Sequence, residues 1–348
     1  MKKVCICGGG SLGHVTAGYL SAKGSAEVNI LTGHPESWKH SINVLLPDGR
    51  RITGDIGVIT SDAEEAAGDA DVVLLCLPGF AIRQELEKLR GHVRHDAYIG
   101  SVFSSTGFFF EAAKTLPEKQ PLWGFQRVPF IARTAEYGKS ARLLGYKDSF
   151  SIAVENVNAD ERKDFAEWVS SAFGRPVHLL KNMYEASLTN SNPILHTSRL
   201  YSMFRDWTPG VRYSHDILFY EEWDEPSASL LIKMDQEFFR LLDTLPVTRG
   251  YIPTILDYYE SHDARSLAAK LSGIAAFKGI PSPMIQEKGG WIPDFNSRYF
   301  TEDFPFGLRY IHDLGVRNGV CMPETEKVFS WGTSMISSYA IGNAQAKS

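Results

Sequence analysis

The sequence has few of the features that mark membrane, secreted or nucleic-acid-binding proteins. No apolar run approaches the roughly 20 residues that a membrane-spanning helix needs. The apolar stretch near the start is too short for a signal peptide, and glycines interrupt it. The formal net charge is -5 and no basic block stands out, so we expect no nucleic-acid partner. We therefore expect a cytoplasmic protein with no membrane partner.

Cysteine is scarce, with four residues in the chain. Cys5 and Cys7 alternate within an apolar run. We expect their side chains on opposite faces of a strand, where they could share neither a metal nor a disulfide. Together with Cys76 they are expected to be buried thiols of a reducing compartment. The adjacent His–Asp pairs at 215–216 and 262–263 lack the spacing of metal ligands, so we predict no metal site.

What the chain does have is enough apolar material for two domains. It contains 348 residues, of which 43% are hydrophobic and 22% charged, as is ordinary for globular proteins. Strand and helix patterns alternate as far as Lys181, which predicts an α/β domain with a doubly wound, mostly parallel sheet of the Rossmann type. Long helical patterns follow. We therefore predict a dinucleotide-binding domain over residues 1–181 and a helical domain over residues 182–348.

The strongest local pattern is a glycine triad between a short strand, Val4–Cys7, and a helix predicted over Ser11–Lys23. Gly8 allows a tight turn and Gly10 lets the backbone approach a pyrophosphate. Gly13 lets the helix pack closely on the strand. The helix N-terminus offers free N–H groups and the positive end of its dipole. This context, between a strand and a helix, predicts a dinucleotide site.

The identity of the dinucleotide stays open. Thr32 stands where the second strand of such a domain usually ends in a ribose-binding acid. The nearest acid is Glu36, which would favour NAD, and the nearest base is Lys39, which would favour NADP. Another strand ends in Leu77 and Pro78, and ligands of open α/β sheets lie at such carboxyl ends. Besides the glycines, the expected cofactor contacts are Ser11, Leu12, Thr32, Leu77 and Pro78.

Two further segments support structural predictions. The stretch "ARLLGYKDSFSIAVE" resembles a hairpin with its turn near Lys147 and Asp148. The stretch "FYEEWDEP", Phe219 to Pro226, clusters acids and aromatics, and we interpret it as the solvated start of a helix.

Asn192 and His196 are four apart, so they share one helix face, although Pro193 interrupts the helix. A single histidine of this kind is more typical of a satisfied core residue than of a catalytic one.

Taken together, these sequence features resemble the octopine/nopaline (opine) dehydrogenase family over nearly the whole chain. The resemblance rests on "GGGSLG", the Asn–Pro–His stretch, "VPFIARTAEYGKSARLLGYK", "DYYESHD" and above all "PDFNSRYFTEDFPFGL". It implies a Rossmann domain, an all-helical substrate domain, and reductive condensation of an amino acid with a 2-oxo acid. Both substrates are small molecules, and NAD is slightly favoured over NADP. A monomer and a homodimer are equally consistent with it.

The resemblance also implies roles for single residues. His196 and Asp303 correspond to a catalytic dyad, and Arg298 to a carboxylate-binding arginine. Histidine side chains in general can accept and return protons near neutral pH. A carboxylate orients the ring, and an arginine fork grips a substrate carboxylate. Further expected substrate contacts are Arg127, Ser105, Thr106 and Asn192.

Some alternatives remain open. Arg127 could instead be a surface residue paired with Glu136, and Ser105 and Thr106 could be ordinary turn residues. Ketopantoate reductase and glycerol-3-phosphate dehydrogenase share the two-domain plan and reduce a ketone to an alcohol. They usually use a lysine as the acid, and Lys181 lies near the start of the second domain. A dinucleotide-binding sensor without turnover is a third reading, although a sensor has no need of a proton relay.

Overall fold

The computed structural model describes the backbone of residues 1–345 and the side chains of residues 1–339. Contacts divide the chain into two units, Met1–Ser187 and a second that begins at Leu188. The first unit is α/β and the second is mainly helical. Among the described residues, no helix combines the length and apolarity needed to cross a bilayer.

The described part of the first unit contains a sheet of 11 strands in the order β11-β10-β7-β6-β5-β1-β2-β4-β3-β9-β8. Its centre is parallel, with β1 pairing with both β2 and β5, and β6 pairing with β5 and β7. The predicted doubly wound α/β fold is confirmed, with antiparallel strands on both flanks. The strands are β1 Lys2–Cys7, β2 Ala26–Leu31, β3 Ser41–Leu45, β4 Arg51–Thr60, β5 Val72–Leu75, β6 Tyr98–Ser101, β7 Leu122–Phe125, β8 Phe130–Glu136, β9 Ser140–Tyr146, β10 Phe150–Glu155 and β11 Val177–Leu179.

The helices of this unit cover the apolar faces of the sheet. The longest begins with a capping box between Asn158 and Glu161 and ends at Gly174, whose φ of 67° suits glycine. Its apolar side, including Phe165 and Phe173, belongs to one of the buried clusters of the sheet. The helices are α1 Ser11–Ala22, α2 Ala63–Ala67, α3 Gly79–Leu89, α4 Phe108–Thr115, α5 Ala159–Phe173 and α6 Met183–Ser187.

Two sequence predictions about this unit are wrong. β9 and β10 form no hairpin: β9 pairs with β8 and β3, whereas β10 pairs with β7 and β11. The turn residues at Lys147 and Asp148 mark a change of direction, but they do not determine the strand partners. Cys5 and Cys7 do not face opposite sides, because residues two apart on a strand point the same way. Their sulfurs lie 4.0 Å apart, and both are buried.

The second unit is helical, as predicted, and one small hairpin adds to its helices. The hairpin joins β12 Met284–Glu287 to β13 Gly290–Pro293, and its turn uses Gly289 at a φ of 97°. Two π-helical turns, Ser191–His196 and Phe304–Leu308, lead directly into α7 and α12. The helices are α7 Thr197–Phe204, α8 Glu225–Leu242, α9 Ile255–Tyr258, α10 Ala264–Gly273, α11 Arg298–Thr301, α12 Arg309–Arg317 and α13 Pro323–Gln345.

Candidate active site

The three glycines of the predicted triad, Gly8, Gly10 and Gly13, differ in what a side chain would meet. Gly8 has a φ of 111°, where an L side chain is strained. A Cβ on Gly13 would lie 2.0 Å from the carbonyl oxygen of Gly8, so α1 can approach β1 only with glycine there. A Cβ on Gly10 would meet nothing within 4 Å and would project into open space. This concave backbone surface fits the close approach of a dinucleotide pyrophosphate.

The N-terminus of α1 supplies hydrogen-bond donors to the same surface. Gly10 caps the helix without a side-chain bond, so the N–H groups of Ser11, Leu12 and Gly13 have no partner within the helix. Their positive dipole end favours an anion. The Ser11 hydroxyl is used elsewhere, because its Oγ accepts the N–H of Thr134 at 2.9 Å. Ser11 therefore offers its backbone, while its side chain ties α1 to β8.

A cavity of about 230 Å³ adjoins the glycines. Of the predicted cofactor residues, Gly8, Thr32 and Leu77 line it. Thr32 is buried after β2, and its N–H donates to Thr60 O at 2.9 Å. Pro78 is the N-cap of α3, and Leu12 packs against the core beside the cradle. Sequence reasoning did not identify His34, Ser61, Glu85, Lys88 and Tyr137, which also line the cavity.

A buried histidine behind the cradle was also missed. His14 Nδ1 lies 2.9 Å from Gly10 O, and the N–H of Gly138 donates to its Nε2 at 2.7 Å. Because Nε2 accepts, the ring is neutral with its proton on Nδ1. Burial lowers the pKa of His14, opposed by the bond to Gly10. The ring also stacks on Trp38 at 4.1 Å, and its bond to Gly138 joins the cradle to the turn between β8 and β9.

The predicted substrate contacts of the first unit lie near the carboxyl ends of β6 and β7. Ser105 is buried, and its hydroxyl has no hydrogen-bond partner in the described part of the chain. Thr106 instead makes an ordinary turn bond, with its hydroxyl donating to Phe103 O at 2.8 Å. Arg127 follows β7 and is half-buried. It is not paired with Glu136, which binds Lys139.

In the second unit, His196 and Asp303 come together although they are far apart in sequence. His196 ends one π-helical turn and Asp303 is the N-cap of the other. The turns pack on each other where Gly307 faces Pro193, whose Cβ and Cγ would lie 3.3 Å from a Cβ at position 307. π-Helical turns are rare and often occur at functional sites. This packing fixes the distance between the two side chains.

The pair is hydrogen-bonded and partly exposed. Nδ1 of His196 lies 2.9 Å from Oδ2 of Asp303, and their side chains are 14% and 18% exposed. An ionised carboxylate only accepts, so Nδ1–H donates and the basic nitrogen of the neutral ring is Nε2. Nε2 lies 3.2 Å from the hydroxyl of Tyr220. The arrangement can take up a proton at Nε2 and stabilise the resulting imidazolium through Asp303.

Aromatic rings enclose this histidine. Tyr299 and Phe219 contact His196 edge-on, at centroid distances of 5.0 and 5.5 Å. Tyr220 is 7% and Phe219 0% exposed. The interpretation of "FYEEWDEP" as a solvated helix start is therefore wrong for its aromatic residues. They are core residues, and both Phe219 and Tyr220 contact the candidate catalytic histidine.

The remaining predicted residues of this unit are more exposed. Arg298 opens α11, five positions before Asp303, and its exposed guanidinium makes no ion pair or hydrogen bond with the side chains that the structure describes. Asn192 is also exposed. Its neighbour Asn190 is the buried member, with Nδ2 donating to Asp235 Oδ1 at 2.7 Å. Arg298 is thus available for an anionic ligand, whereas Asn190 has a structural role.

The part of the chain that holds these residues matches the model of a known protein family. Residues 179–336, which include His196, Arg298 and Asp303, match the model of the "NAD/NADP octopine/nopaline dehydrogenase, alpha-helical domain". This match, together with relatives that span nearly the whole chain, supports membership of the octopine and opine dehydrogenase family. Residues 3–101 match a second model, "NADP oxidoreductase coenzyme F420-dependent". The chain is an NAD(P)-dependent oxidoreductase.

Individual relatives span nearly the whole chain. It is 27% identical to the opine dehydrogenase of Haliotis discus hannai over 94% of this chain and 88% of that protein. A structure of octopine dehydrogenase with NADH and L-arginine has a TM-score of 0.85 at 25% identity, covering 97% of this chain and 90% of that one. Another, with NADH and pyruvate, has a TM-score of 0.84 at 26% identity, covering 97% and 89%.

Proposed function

We propose that this opine-type dehydrogenase condenses an amino acid with a 2-oxo acid and reduces the resulting imine to a secondary amine dicarboxylate. The observation that carries the proposal is the hydrogen bond between His196 and Asp303, at 2.9 Å. That pair supplies a base with its supporting carboxylate, in a chain that also holds a dinucleotide cradle. A reaction that moves protons and a hydride needs both.

The proton steps fall to His196. An amino acid arrives as an ammonium ion and must lose a proton before its nitrogen can attack the ketone carbon. Nε2 of His196 takes that proton, and Asp303 stabilises the imidazolium. The carbinolamine then expels its hydroxyl as water when the proton returns to it, which leaves the protonated imine. One histidine thus serves first as a base and then as an acid.

The cradle would hold the cofactor through backbone groups. The N–H groups of Ser11, Leu12 and Gly13 and the open surface at Gly10 suit the pyrophosphate. When bound, a reduced nicotinamide supplies the hydride that reduces the imine. Thr32 faces the cavity where a ribose-binding acid would usually stand, and His34 is within 3.5 Å of Glu36. This corner carries both a carboxylate and an imidazole, so it does not by itself select NAD or NADP.

Both substrates carry carboxylates, which basic residues can recognise. Arg298 is exposed and its planar fork can bind a carboxylate with two hydrogen bonds. We assign Arg298, in the second unit, to one substrate carboxylate. We assign Arg127, in the first unit, to another. The buried Ser105 hydroxyl can serve as a further polar contact. Thr106 already donates to its own turn, so its contribution is smaller.

A substrate matrix tests this function. Reduced NAD or NADP is mixed with the protein, with 2-oxo acids and amino acids supplied singly and in pairs, and loss of the reduced cofactor is followed. Pyruvate and arginine head the panel because octopine dehydrogenase has been solved with each. Oxidation that requires both an amine and an oxo acid supports the proposal. Oxidation with the oxo acid alone indicates a ketone reductase, and binding without turnover across the panel indicates a sensor.

A further inference from the structure

The segment around Tyr220 is held in place by a buried arginine. Arg199 is 3% exposed and lies on α7, the helix that continues from His196. Its Nε donates to Phe219 O at 3.0 Å and its Nη2 to Glu222 O at 2.8 Å. Its Nη1 donates to Ser227 Oγ at 3.1 Å. The backbone on both sides of Tyr220 is therefore fixed to the helix that carries the histidine.

The Tyr220 ring is equally constrained. It stacks on Phe277 with centroids 4.2 Å apart and an interplanar angle of 26°, and it lies 5.0 Å from Phe219. A ring packed against these two aromatic side chains and only 7% exposed cannot leave without opening the core. Its hydroxyl is therefore kept 3.2 Å from His196 Nε2.

We propose that Tyr220 is a catalytic residue that carries protons between the substrate nitrogen and Nε2 of His196. This inference rests on the proposed function and deepens it. Asp303 occupies Nδ1 and Tyr220 faces Nε2, so both ring nitrogens have partners inside the protein. A proton that leaves the substrate along the hydrogen bond to Nε2 passes through the Tyr220 hydroxyl.

The steps balance without an added reagent. The substrate ammonium gives one proton to the Tyr220 oxygen while the original hydroxyl proton moves to Nε2, so the phenol is unchanged. In the reverse direction, Nε2–H gives its proton to the Tyr220 oxygen. At the same time the hydroxyl proton passes to the carbinolamine hydroxyl, which leaves as water. Burial, together with the nearby carboxylate of Asp303, raises the pKa of Tyr220, so both protons must move together rather than through a tyrosinate.

The direct test is Tyr220→Phe, which keeps the stacked ring and removes the hydroxyl. Tyr299→Phe is the matched control, because Tyr299 contacts His196 through its ring edge. In single-turnover oxidation of NADH with an amine and an oxo acid, Tyr220→Phe should slow the rate about 100-fold with KM little changed. Tyr299→Phe should stay within about threefold. Unchanged thermal unfolding of both variants shows that the fold is intact.

The solvent isotope effect separates a relay from a merely structural contact. With two protons in motion, the wild-type rate should fall along a curve as the deuterium fraction rises, and in Tyr220→Phe it should fall along a straight line. A wild-type rate in Tyr220→Phe overturns the inference, and so does a slowed variant whose isotope dependence keeps the wild-type shape.

The two proposals can fail separately. If His196→Ala is inactive while Tyr220→Phe is fully active, the relay is wrong and the function stands. If wild-type oxidation never depends on an amine, the proposed function fails and the relay fails with it. A measurement without substrate adds an independent check: the ¹⁵N signal of His196 Nε2 should shift in Tyr220→Phe. An unchanged signal would overturn the hydrogen bond on which the relay depends.

Discussion

The dinucleotide cradle and the His196–Asp303 dyad are built in opposite ways. The cradle uses backbone groups from one short segment, residues 8–13, and depends on the absence of side chains. The dyad uses two side chains separated by 107 positions, brought together by two packed π-helical turns. A local backbone site is sensitive to any added Cβ, whereas a long-range side-chain site is sensitive to the packing beneath it.

This difference also separates their tasks. Hydrogen bonds from fixed backbone N–H groups suit an anion whose charge does not change during the reaction. Proton transfer needs groups that change charge near neutral pH, which only side chains supply. We therefore expect the protein to hold its cofactor with backbone groups and to perform its proton chemistry with side chains.

The largest expected effect comes from removing the base. We predict that His196→Ala lowers kcat about 1000-fold, because no other group takes over proton transfer at that position. Dinucleotide binding should be unchanged, since the cradle belongs to the other unit. Steady-state kinetics and fluorescence titration with NADH measure the two properties. A variant with full turnover would contradict the proposed mechanism.

The next largest effect concerns substrate binding. Arg298→Gln should raise the KM of at least one substrate about 10- to 100-fold, because a charge-assisted carboxylate contact is lost. Arg212→Gln is the control on the same unit, where the guanidinium is paired with Glu287 at 2.6 Å. An equal change of KM in both variants would show that Arg298 acts only through the general charge of the surface.

The cradle offers a third test that separates fold from binding. Gly10→Ala should leave the unfolding temperature unchanged, because its Cβ meets nothing within 4 Å. It should weaken dinucleotide binding about tenfold, since the methyl group lies where the pyrophosphate approaches. Gly273→Ala, also in open space but on α10, is the control. Undiminished binding by Gly10→Ala would remove this surface from the cofactor site.

The smallest expected effect is a dependence of the thermal stability of the first unit on pH. His14 has a pKa lowered by burial, so its folded-state pKa lies below the unfolded value. The stability that it contributes is complete above the unfolded pKa and is lost as the pH falls through the folded pKa. Melting curves between about pH 7.5 and pH 5 should show a loss of Tm that is smaller in His14→Gln. His34→Gln, at an exposed site, should behave like the wild type.

The sequence was most informative where the signal is local. The glycine triad predicts a strand, a turn and a helix, and each glycine meets a distinct steric requirement in the structure. The neighbours of the cradle, His14 and Tyr137, could not be predicted in the same way. His14 contacts Gly138, and Tyr137 lies beside Gly138 in the turn between β8 and β9. Contacts over such sequence distances leave no short motif.

The candidate catalytic site depended on a family resemblance rather than on a pattern. Nothing in the spacing of His196 and Asp303 predicts their contact, because it depends on how the two π-helical turns pack. Tyr220 was overlooked because its neighbours are acidic and suggest solvent exposure. The only available signal was the alternation of aromatic with acidic residues in Phe219–Trp223, where the aromatic residues are buried.

The most direct test of the central claim is the fate of the transferred hydride. NADH or NADPH deuterated on the transferring face of C4 is incubated with the protein, an amino acid and a 2-oxo acid, and the product is isolated for mass spectrometry. The account predicts a secondary amine dicarboxylate with one deuterium on the former ketone carbon. A deuterated 2-hydroxy acid, formed whether or not the amine is present, would contradict it.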